Sequence, residues 1–391
     1  MNKRNVILLC VILVLLTACI TFSLTMHFAA PQLLSGLPTA SKVAAIERRL
    51  QRYFIDDYDP VALGDAAAAA MIEATGDRWS FYLSAEEVAS YQDQLDNAYT
   101  GIGVTIYEEP AERGFTVATV QEGGPADKAG IRVGDVLTHV EDESALEMGF
   151  AEMRNRVRGG LGTWITLTLE RSGSPYTVNV QRLRIDTAVA DATLLESGVG
   201  YVRIANFDRN AADQTISCIE DMRSQGVTDV VFDVRSNPGG LRSELVKLLD
   251  YLLPEGAVFK SLDYTGSEET EYSEAASLDM EMVVLVDRYT YSAAEFFAAA
   301  LQEYDAAKVV GERTSGKGNY QSMLSLPDGS AINLSIGKYF TPNGKSLTDV
   351  GVEPDYQIPI PENGDAEAAY TKQLEKAEEI LLDPDAAKKG S

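Results

Sequence analysis

Two uninterrupted apolar runs in the C-terminal half of the chain constrain its fold the most. Residues 229–234 and 282–286 are short, rich in valine and largely without polar interruptions, as expected for strands that are buried on both faces. Each run is followed by a turn and then by a helical pattern, which predicts a parallel βαβ sheet. In such a sheet the functional loops lie at the carboxyl ends of the strands.

The remainder of this half supplies smaller elements. Residues 319–326 and 331–340 alternate as strands on either side of a Pro-Asp-Gly-Ser turn and predict a β-hairpin. Residues 367–382 form an amphipathic pattern, typical of a helix that packs back on the core or supports a homodimer. Residues 268–281 carry six acidic side chains and predict a solvated loop.

The turns after the two buried strands carry chemically useful groups. Ser292 stands at the start of the alanine-rich helix, close to backbone N–H groups that lack helical partners. Gly239 and Gly240 follow the first strand, and their N–H groups have no side chain in the way. Together with the N–H group of Ala293, they fit an oxyanion hole around a serine nucleophile.

A lysine framed by glycines, Lys317 in Gly316-Lys317-Gly318, is the predicted base for Ser292. An ordinary lysine is protonated at neutral pH, so this role requires apolar surroundings that favour the neutral amine. Gln321 lies four residues further on and is suited to orient the amine without adding charge. A phosphate-binding loop also matches GxxxxGK, but it needs serine or threonine at position 318 and a following helix.

Composition excludes several other classes of protein. The net charge of −26 over 391 residues repels nucleic-acid phosphates. The chain has two histidines, His27 in the N-terminal apolar run and His139 in a strand pattern, so a Ser-His-Asp triad has only His139 to use. No metal-binding histidine motif and no cofactor motif is present, and Cys218 is predicted to be a small core residue.

Residues 99–185 change to short strands joined by glycines, with one helix, and predict a small β domain. Residues 123–143, GGPADKAGIRVGDVLTHVEDE, strongly resemble the PDZ domain. The resemblance implies capture of a protein or peptide with a free apolar C-terminus. Backbone N–H groups before the first strand are suited to hold the carboxylate, and the predicted binding residues are Gly101, Ile102, Gly103 and Val104.

The N-terminus predicts attachment to a membrane. Residues 6–30 contain no charge and follow Lys3 and Arg4; as a helix they span about 37 Å, more than the hydrocarbon core of a bilayer. We expect an uncleaved signal anchor at residues 1–30, with the body outside the cytoplasm. A cleaved signal peptide and a lipoprotein modified at Cys19 are the alternatives. A linker at 31–38 and a helical region at 39–98 follow.

Four stretches closely resemble the carboxyl-terminal processing peptidases, also called tail-specific proteases: DVRSNPGGL, YSAAEFFAAALQEY, VVGERTSGKGNYQ and LPDGSAINLSIGKYFTPNGKSL. The resemblance implies a serine endopeptidase with a Ser–Lys dyad at Ser292 and Lys317, assisted by Gln321 and without a catalytic histidine. It places the oxyanion glycine on the Gly239–Gly240 pair, with Gly239 preferred. Tyr291 departs from the small residue that is common there.

The sequence therefore predicts a multi-domain α/β protein. Its protease core, residues 186–362, is expected to have the ClpP/crotonase-like fold with a β-hairpin. Residues 363–391 are expected to form a C-terminal helix and tail. The predicted function is a single-pass, membrane-anchored bacterial endopeptidase that cleaves extracytoplasmic proteins near their C-termini, gated by the PDZ domain. The alternative is a catalytically silent PDZ scaffold that binds protein C-termini.

Overall fold

The computed structural model describes residues 12–21, 38–274, 277–361 and 366–383 and divides into two compact units, the first ending at Arg78. The first unit contains the helical residues 12–21 (α1) and two further helices, α2 (Pro38–Tyr53) and α3 (Pro60–Glu73). The Asp59 side chain accepts a hydrogen bond from Val61 N at the start of α3, and Pro60 occupies the first helical position, which needs no N–H group.

The predicted membrane anchor falls in this unit. Within the described ranges, no helix is long and apolar enough to cross a membrane. Of residues 1–30, the structure describes only α1, and the rest of the predicted anchor lies outside the described residues.

The second unit begins with an aromatic strand that the sequence pattern does not predict. Residues 39–98 read as helical, but β1 (Phe81–Leu83) pairs with residues 331–333 of a strand much later in the chain. Three residues are too few to show a period of their own, so only this pairing makes the segment a strand. Helix α4 (Ala85–Leu95) follows as predicted, with a capping box between Ser84 and Glu87.

A small β domain follows between two strands that pair with each other, β2 (Ala98–Gly101) and β9 (Leu183–Asp186). Its six-stranded antiparallel sheet packs a closed apolar core, which includes Leu137, Ile165 and Leu167. The elements are β3 (Val104–Ala111), β4 (Gly114–Val120), α5 (Pro125–Lys128), β5 (Val136–Val140), β6 (Glu143–Ser144), α6 (Ala145–Met148), α7 (Phe150–Val157), β7 (Trp164–Arg171) and β8 (Ser174–Gln181).

The protease-like core is a six-stranded sheet in the order β10-β11-β12-β15-β16-β19, parallel except at the β10 edge. Its strands and helices are β10 (Ala190–Leu194), β11 (Gly200–Ile204), α8 (Ala211–Ser224), β12 (Asp229–Asp233), α9 (Arg242–Leu252), β15 (Glu281–Val286), α10 (Ala293–Glu303), β16 (Ala307–Gly311), β19 (Tyr356–Gln357) and α11 (Ala366–Leu382).

Both faces of this sheet are covered, as the unbroken apolar runs predict. Val230, Phe232 and Val284 pack into a core shared with helices α8, α9 and α10. The intervening residues Val231 and Val283 pack on the opposite face with apolar side chains of α11. The C-terminal helix therefore packs back on the sheet.

A second, antiparallel sheet contains β13 (Gly256–Asp263), β14 (Glu268–Ser273), β17 (Asn319–Ser325) and β18 (Ala331–Phe340), together with β1. The predicted hairpin is confirmed as β17–β18. The predicted acidic loop at 268–281 is wrong in its first half, because residues 268–273 pair along β13. Acidic side chains remain compatible with a strand at the edge of a sheet.

Candidate active site

The nucleophile turn, residues 287–292, connects β15 to α10. Ser292 immediately precedes α10 with φ +58° and ψ −129°, a region that residues with a side chain rarely adopt. Its side chain is 8% exposed, and the first turn of α10 is buried. The turn therefore presents a serine in a strained, pre-set conformation at the carboxyl edge of the sheet.

The oxyanion loop, residues 235–240, follows β12 and lies directly against this turn. A Cβ atom on Gly239 would lie 2.7 Å from Ser292 Cβ and 2.8 Å from Ala293 N, so only glycine fits there. Tyr291 N donates to Asn237 O at 3.1 Å. The structure thus brings the predicted Gly239 and Ala293 together beside Ser292.

The two glycines differ in what their N–H groups do. Gly239 N donates to Oδ1 of the fully buried Asn237 at 2.8 Å, so the preferred oxyanion donor is already engaged. Gly240 pairs with Phe207 in a parallel bridge. In this bridge Phe207 N donates to Gly239 O, and Leu241 N donates to Phe207 O. In such a bridge the central residue's own N–H group points away from the partner strand.

The lysine segment, residues 314–318, is the second part of the connection between β16 and β17. Its glycines permit a close approach to residues 348–350: a Cβ on Gly316 would lie 3.0 Å from the Asp349 backbone, and one on Gly318 would lie 2.4 Å from Thr348 Oγ1. Because a strand follows Lys317 and a phosphate-binding loop needs a helix there, the structure agrees with the rejection of that motif.

One buried carboxylate joins the two catalytic candidates. Glu295 Oε2 accepts a hydrogen bond from Ser292 N at 2.9 Å and another from Lys317 N at 2.8 Å. The backbones of Ser292 and Lys317, which are 25 positions apart in the sequence, therefore meet at a single oxygen atom.

The ammonium group of Lys317 lies against two aromatic rings. Its Nζ is 4.6 Å from the centre of the Trp79 ring and 5.6 Å from that of Tyr291. These rings contact each other, with centres 5.6 Å apart. Tyr291, the departure noted in the sequence, thus lies beside the lysine. Trp79 is a site residue that the sequence reasoning missed; its position just before the aromatic strand β1 is the available signal.

The small β domain contains a separate cavity of about 250 Å³. It is lined by all four predicted binding residues and by apolar and basic side chains of α7 and the residue after it: Gly101, Ile102, Gly103, Val104, Phe150, Met153, Arg154 and Arg158. Arg158 stacks on the ring of Tyr99, 5.0 Å from its centre. An apolar cavity with basic side chains at its edge fits an apolar tail that ends in a carboxylate.

Comparison with known proteins identifies two segments of the chain. Residues 198–358 match the model of peptidase family S41, and residues 116–171 match that of the PDZ domain. Residues 198–358 therefore form a peptidase family S41 domain. The match covers the oxyanion loop, the nucleophile turn and the lysine segment, and the prediction of a serine peptidase with a PDZ domain is confirmed.

Relatives of this S41 peptidase carry related names. The carboxy-terminal processing protease CtpA of Bacillus subtilis is 28% identical over 360 residues, covering 90% of this chain and 77% of the relative. A probable CtpA-like serine protease of Staphylococcus epidermidis is 29% identical, covering 89% and 72%. The solved photosystem II D1 C-terminal processing protease has a TM-score of 0.48 and 26% identity, covering 88% of this chain and 92% of that one.

Gln321 of the peptidase lies where β17 shifts its register against β18, an irregularity that redirects side chains. Its Nε2 donates to Asn319 O and to Ser335 Oγ, both at 3.1 Å. These bonds fix the amide group within the hairpin, four residues from Lys317.

The remaining candidates of the sequence lie elsewhere in the peptidase. His139 is exposed on β5 of the PDZ sheet and contacts Thr138 Oγ1 at 3.1 Å. Cys218 packs against the core from α8, and burial raises the pKa of its thiol. In the described part of the chain, no group of three or more His, Cys, Asp or Glu side chains forms a metal site.

A further buried acid lies on the oxyanion side. Asp208 follows Phe207, the bridge partner of Gly240, and is 6% exposed. Burial raises the pKa of its carboxyl group to about 7. Burial is the main cause of the raised pKa values of Tyr91 and Tyr291, and the charge of Asp208 adds to both. Asp208 therefore lies near the ring of Tyr291, the residue before Ser292.

Proposed function

We propose that this S41 peptidase is a C-terminal processing endopeptidase that acts outside the cytoplasm through a dyad of Ser292 and Lys317, with its PDZ domain capturing the C-terminal tail of the substrate. The observation that carries the proposal is the meeting of the Ser292 and Lys317 backbones at one Glu295 oxygen. It supports a role for the two residues as a single unit.

In the proposed reaction, Ser292 Oγ attacks the carbonyl carbon of the scissile peptide bond, and Lys317 Nζ accepts the serine proton. Collapse of the tetrahedral intermediate breaks the C–N bond, and Lys317 returns the proton to the leaving amine. Water then attacks the acyl-enzyme by the same proton transfers and releases Ser292. Gln321 helps to orient the lysine segment from the adjacent hairpin.

The oxyanion donors in this proposal are the N–H groups of Gly240 and Ala293. Ala293 is the first residue of α10, and its N–H group belongs to the unpaired set at a helix N-terminus. The engagement of Gly239 N by Asn237 supports Gly240 as the second donor. Gly239 instead permits the close contact between the two loops.

The PDZ cavity supports capture of a free C-terminus, since it combines the four predicted residues with Arg154 and Arg158 at its rim. The location outside the cytoplasm rests on the uncharged residues 6–30 preceded by Lys3 and Arg4. If it is right, protease added to intact cells digests the PDZ domain and core. Protection of both until the cells are lysed contradicts it.

The function is tested with the full-length protein and a denatured protein that ends in an apolar tail, prepared with a free or an amidated C-terminus. We expect cleavage near the free C-terminus, and cleavage about tenfold slower after amidation, because a charge-assisted interaction is lost. Equal rates for both tails contradict carboxylate capture. An intact substrate with the wild type, or cleavage that persists in Ser292→Ala, contradicts the proposed endopeptidase.

A further inference from the structure

The side chain of Glu295, in the first turn of α10, is fully buried and accepts four hydrogen bonds. Oε2 accepts from Ser292 N and Lys317 N, at 2.9 and 2.8 Å. Oε1 accepts from Thr314 Oγ1 at 2.5 Å and from Gly316 N at 2.7 Å. Every donor therefore belongs to the nucleophile turn or to the lysine segment.

The chemistry of this set matches an ionised carboxylate. Three donors are backbone N–H groups, and the Thr314 hydroxyl directs its proton to Glu295 while accepting from Val352 N at 2.7 Å. A protonated acid needs an acceptor for its own proton, and the three backbone N–H groups offer none. Burial raises the pKa of Glu295 above its ordinary value, and the four hydrogen bonds oppose this rise only in part. The helix N-terminus also favours a negative charge.

The arrangement fixes two flexible parts relative to each other. Ser292 has a positive φ that no regular element maintains, and Lys317 lies between two glycines, Gly316 with φ +82°. One direct backbone hydrogen bond, from Ser315 N to Thr290 O at 3.1 Å, also joins the two segments, but it involves neither Ser292 nor Lys317. Because a displacement of about 1 Å at reacting groups can cost about a hundredfold in rate, an anchor common to both is functionally important.

We propose that Glu295 is a positioning residue whose carboxylate sets the separation and orientation of Ser292 and Lys317. The inference rests on the proposed dyad. Glutamine is a poor substitute at this position. Its NH₂ group replaces one of the two carboxylate oxygens and cannot accept a hydrogen bond, so two of the four hydrogen bonds are lost.

The test compares Glu295→Gln with Glu312→Gln in the full-length peptidase. Glu312 is a matched control: it precedes the same segment, its side chain is 9% exposed, and it bonds Arg288 and Ile360 N but neither catalytic residue. We expect Glu295→Gln to lower kcat at least about tenfold with KM within about twofold, and Glu312→Gln to leave kcat within about twofold.

A second pair of variants covers the case in which Glu295→Gln does not fold. Thr314→Val removes one donor from Glu295 and also the acceptor for Val352 N, whereas Thr314→Ser keeps the hydroxyl group. We expect Thr314→Val to lower kcat by roughly threefold to tenfold and Thr314→Ser to restore it. Circular dichroism and binding of an apolar C-terminal peptide to the PDZ domain establish that each variant is folded.

The outcomes separate this inference from the proposed function. If Ser292→Ala and Lys317→Ala abolish cleavage while folded Glu295→Gln keeps wild-type kcat, the positioning role is wrong and the dyad stands. A folded Glu295→Gln that raises KM without lowering kcat also overturns the inference, as do equal kcat values for Thr314→Val and Thr314→Ser. If Ser292→Ala retains activity, the proposed function itself fails.

Discussion

The nucleophile turn lies between the lysine segment on one side and the oxyanion loop on the other. Each side contains a buried acid, but the two acids differ in their hydrogen bonds. On the lysine side, Glu295 is fully buried and receives four hydrogen bonds. On the oxyanion side, Asp208 is almost as buried, and no hydrogen bond to its carboxylate occurs among the described residues. Burial raises the pKa of both carboxyl groups. Only at Glu295 do hydrogen-bond donors oppose this rise in pKa.

This difference suggests different roles. A fully bonded carboxylate stabilises one arrangement of the groups around it, whereas an unbonded one stores an electrostatic cost that depends on pH. The lysine side is therefore built for fixed geometry. The oxyanion side depends on close backbone packing, in which Gly239 is central, and contains an acid whose raised pKa is due to burial alone.

Among changes outside the dyad itself, the largest expected effect comes from breaking the packing on the oxyanion side. Gly239→Ala places a Cβ atom 2.7 Å from Ser292 Cβ at a residue with φ +87°. We expect at least a hundredfold loss of kcat, because the nucleophile turn must shift. Gly344→Ala is the matched control, since Gly344 has φ +79° and nothing within 4 Å of the added atom.

Backbone strain alone costs about 1–2 kcal/mol, so thermal unfolding should detect both glycine substitutions while the peptidase assay detects only Gly239→Ala. Similar kcat values for the two variants would show that the contact with Ser292 is unimportant for catalysis.

On the lysine side, Trp79→Leu is expected to have an intermediate effect, seen in the pH dependence of kcat/KM. The face of the Trp79 ring stabilises the charged form of Lys317 by about 0.5–2 kcal/mol. Removing it makes the amine easier to deprotonate, so the acid limb of the kcat/KM profile should move to lower pH by roughly one unit or less. Trp79→Phe should retain part of the effect. A shift of the limb to higher pH would contradict the assigned contact.

The smallest effect on activity is expected from Asp208, whose buried charge instead affects stability. Its pKa in the folded state, about 7, lies above the ordinary value of 3.8. The folded state therefore binds more protons, and stability is lost as pH rises between these values. We expect Asp208→Asn to raise the free energy of unfolding by roughly 2 kcal/mol at pH 8 and by less at pH 5. Exposed Asp142→Asn is the control, and a gain that is equal at both pH values would count against the assignment.

Sequence patterns predict the parts of this molecule that repeat or alternate. The buried strands around Val231 and Val283, the hairpin β17–β18 and helix α11 all follow from periodicity. The short strand β1 and the acidic strand β14 do not, because each depends on a partner that is distant in the sequence.

The same limit applies to the site. Ser292 and Lys317 stand in recognisable local motifs, but their connection runs through Glu295, whose position within an alanine-rich helix suggests only a capping residue. Trp79 approaches Lys317 from 238 positions away in the sequence. The choice between Gly239 and Gly240 depends on which N–H group Asn237 occupies, and no spacing rule specifies that.

The central claim is that Ser292 and Lys317 act as one catalytic unit. The most direct measurement is the rate of cleavage of a denatured, apolar-tailed protein by Ser292→Ala, Lys317→Ala and the double variant, beside the exposed controls Ser325→Ala and Lys338→Ala. We predict that each single variant loses activity by at least about a thousandfold, that the double variant loses no more, and that the controls match the wild type. Residual activity near the wild-type rate in either single variant, or losses that multiply in the double variant, would contradict the account.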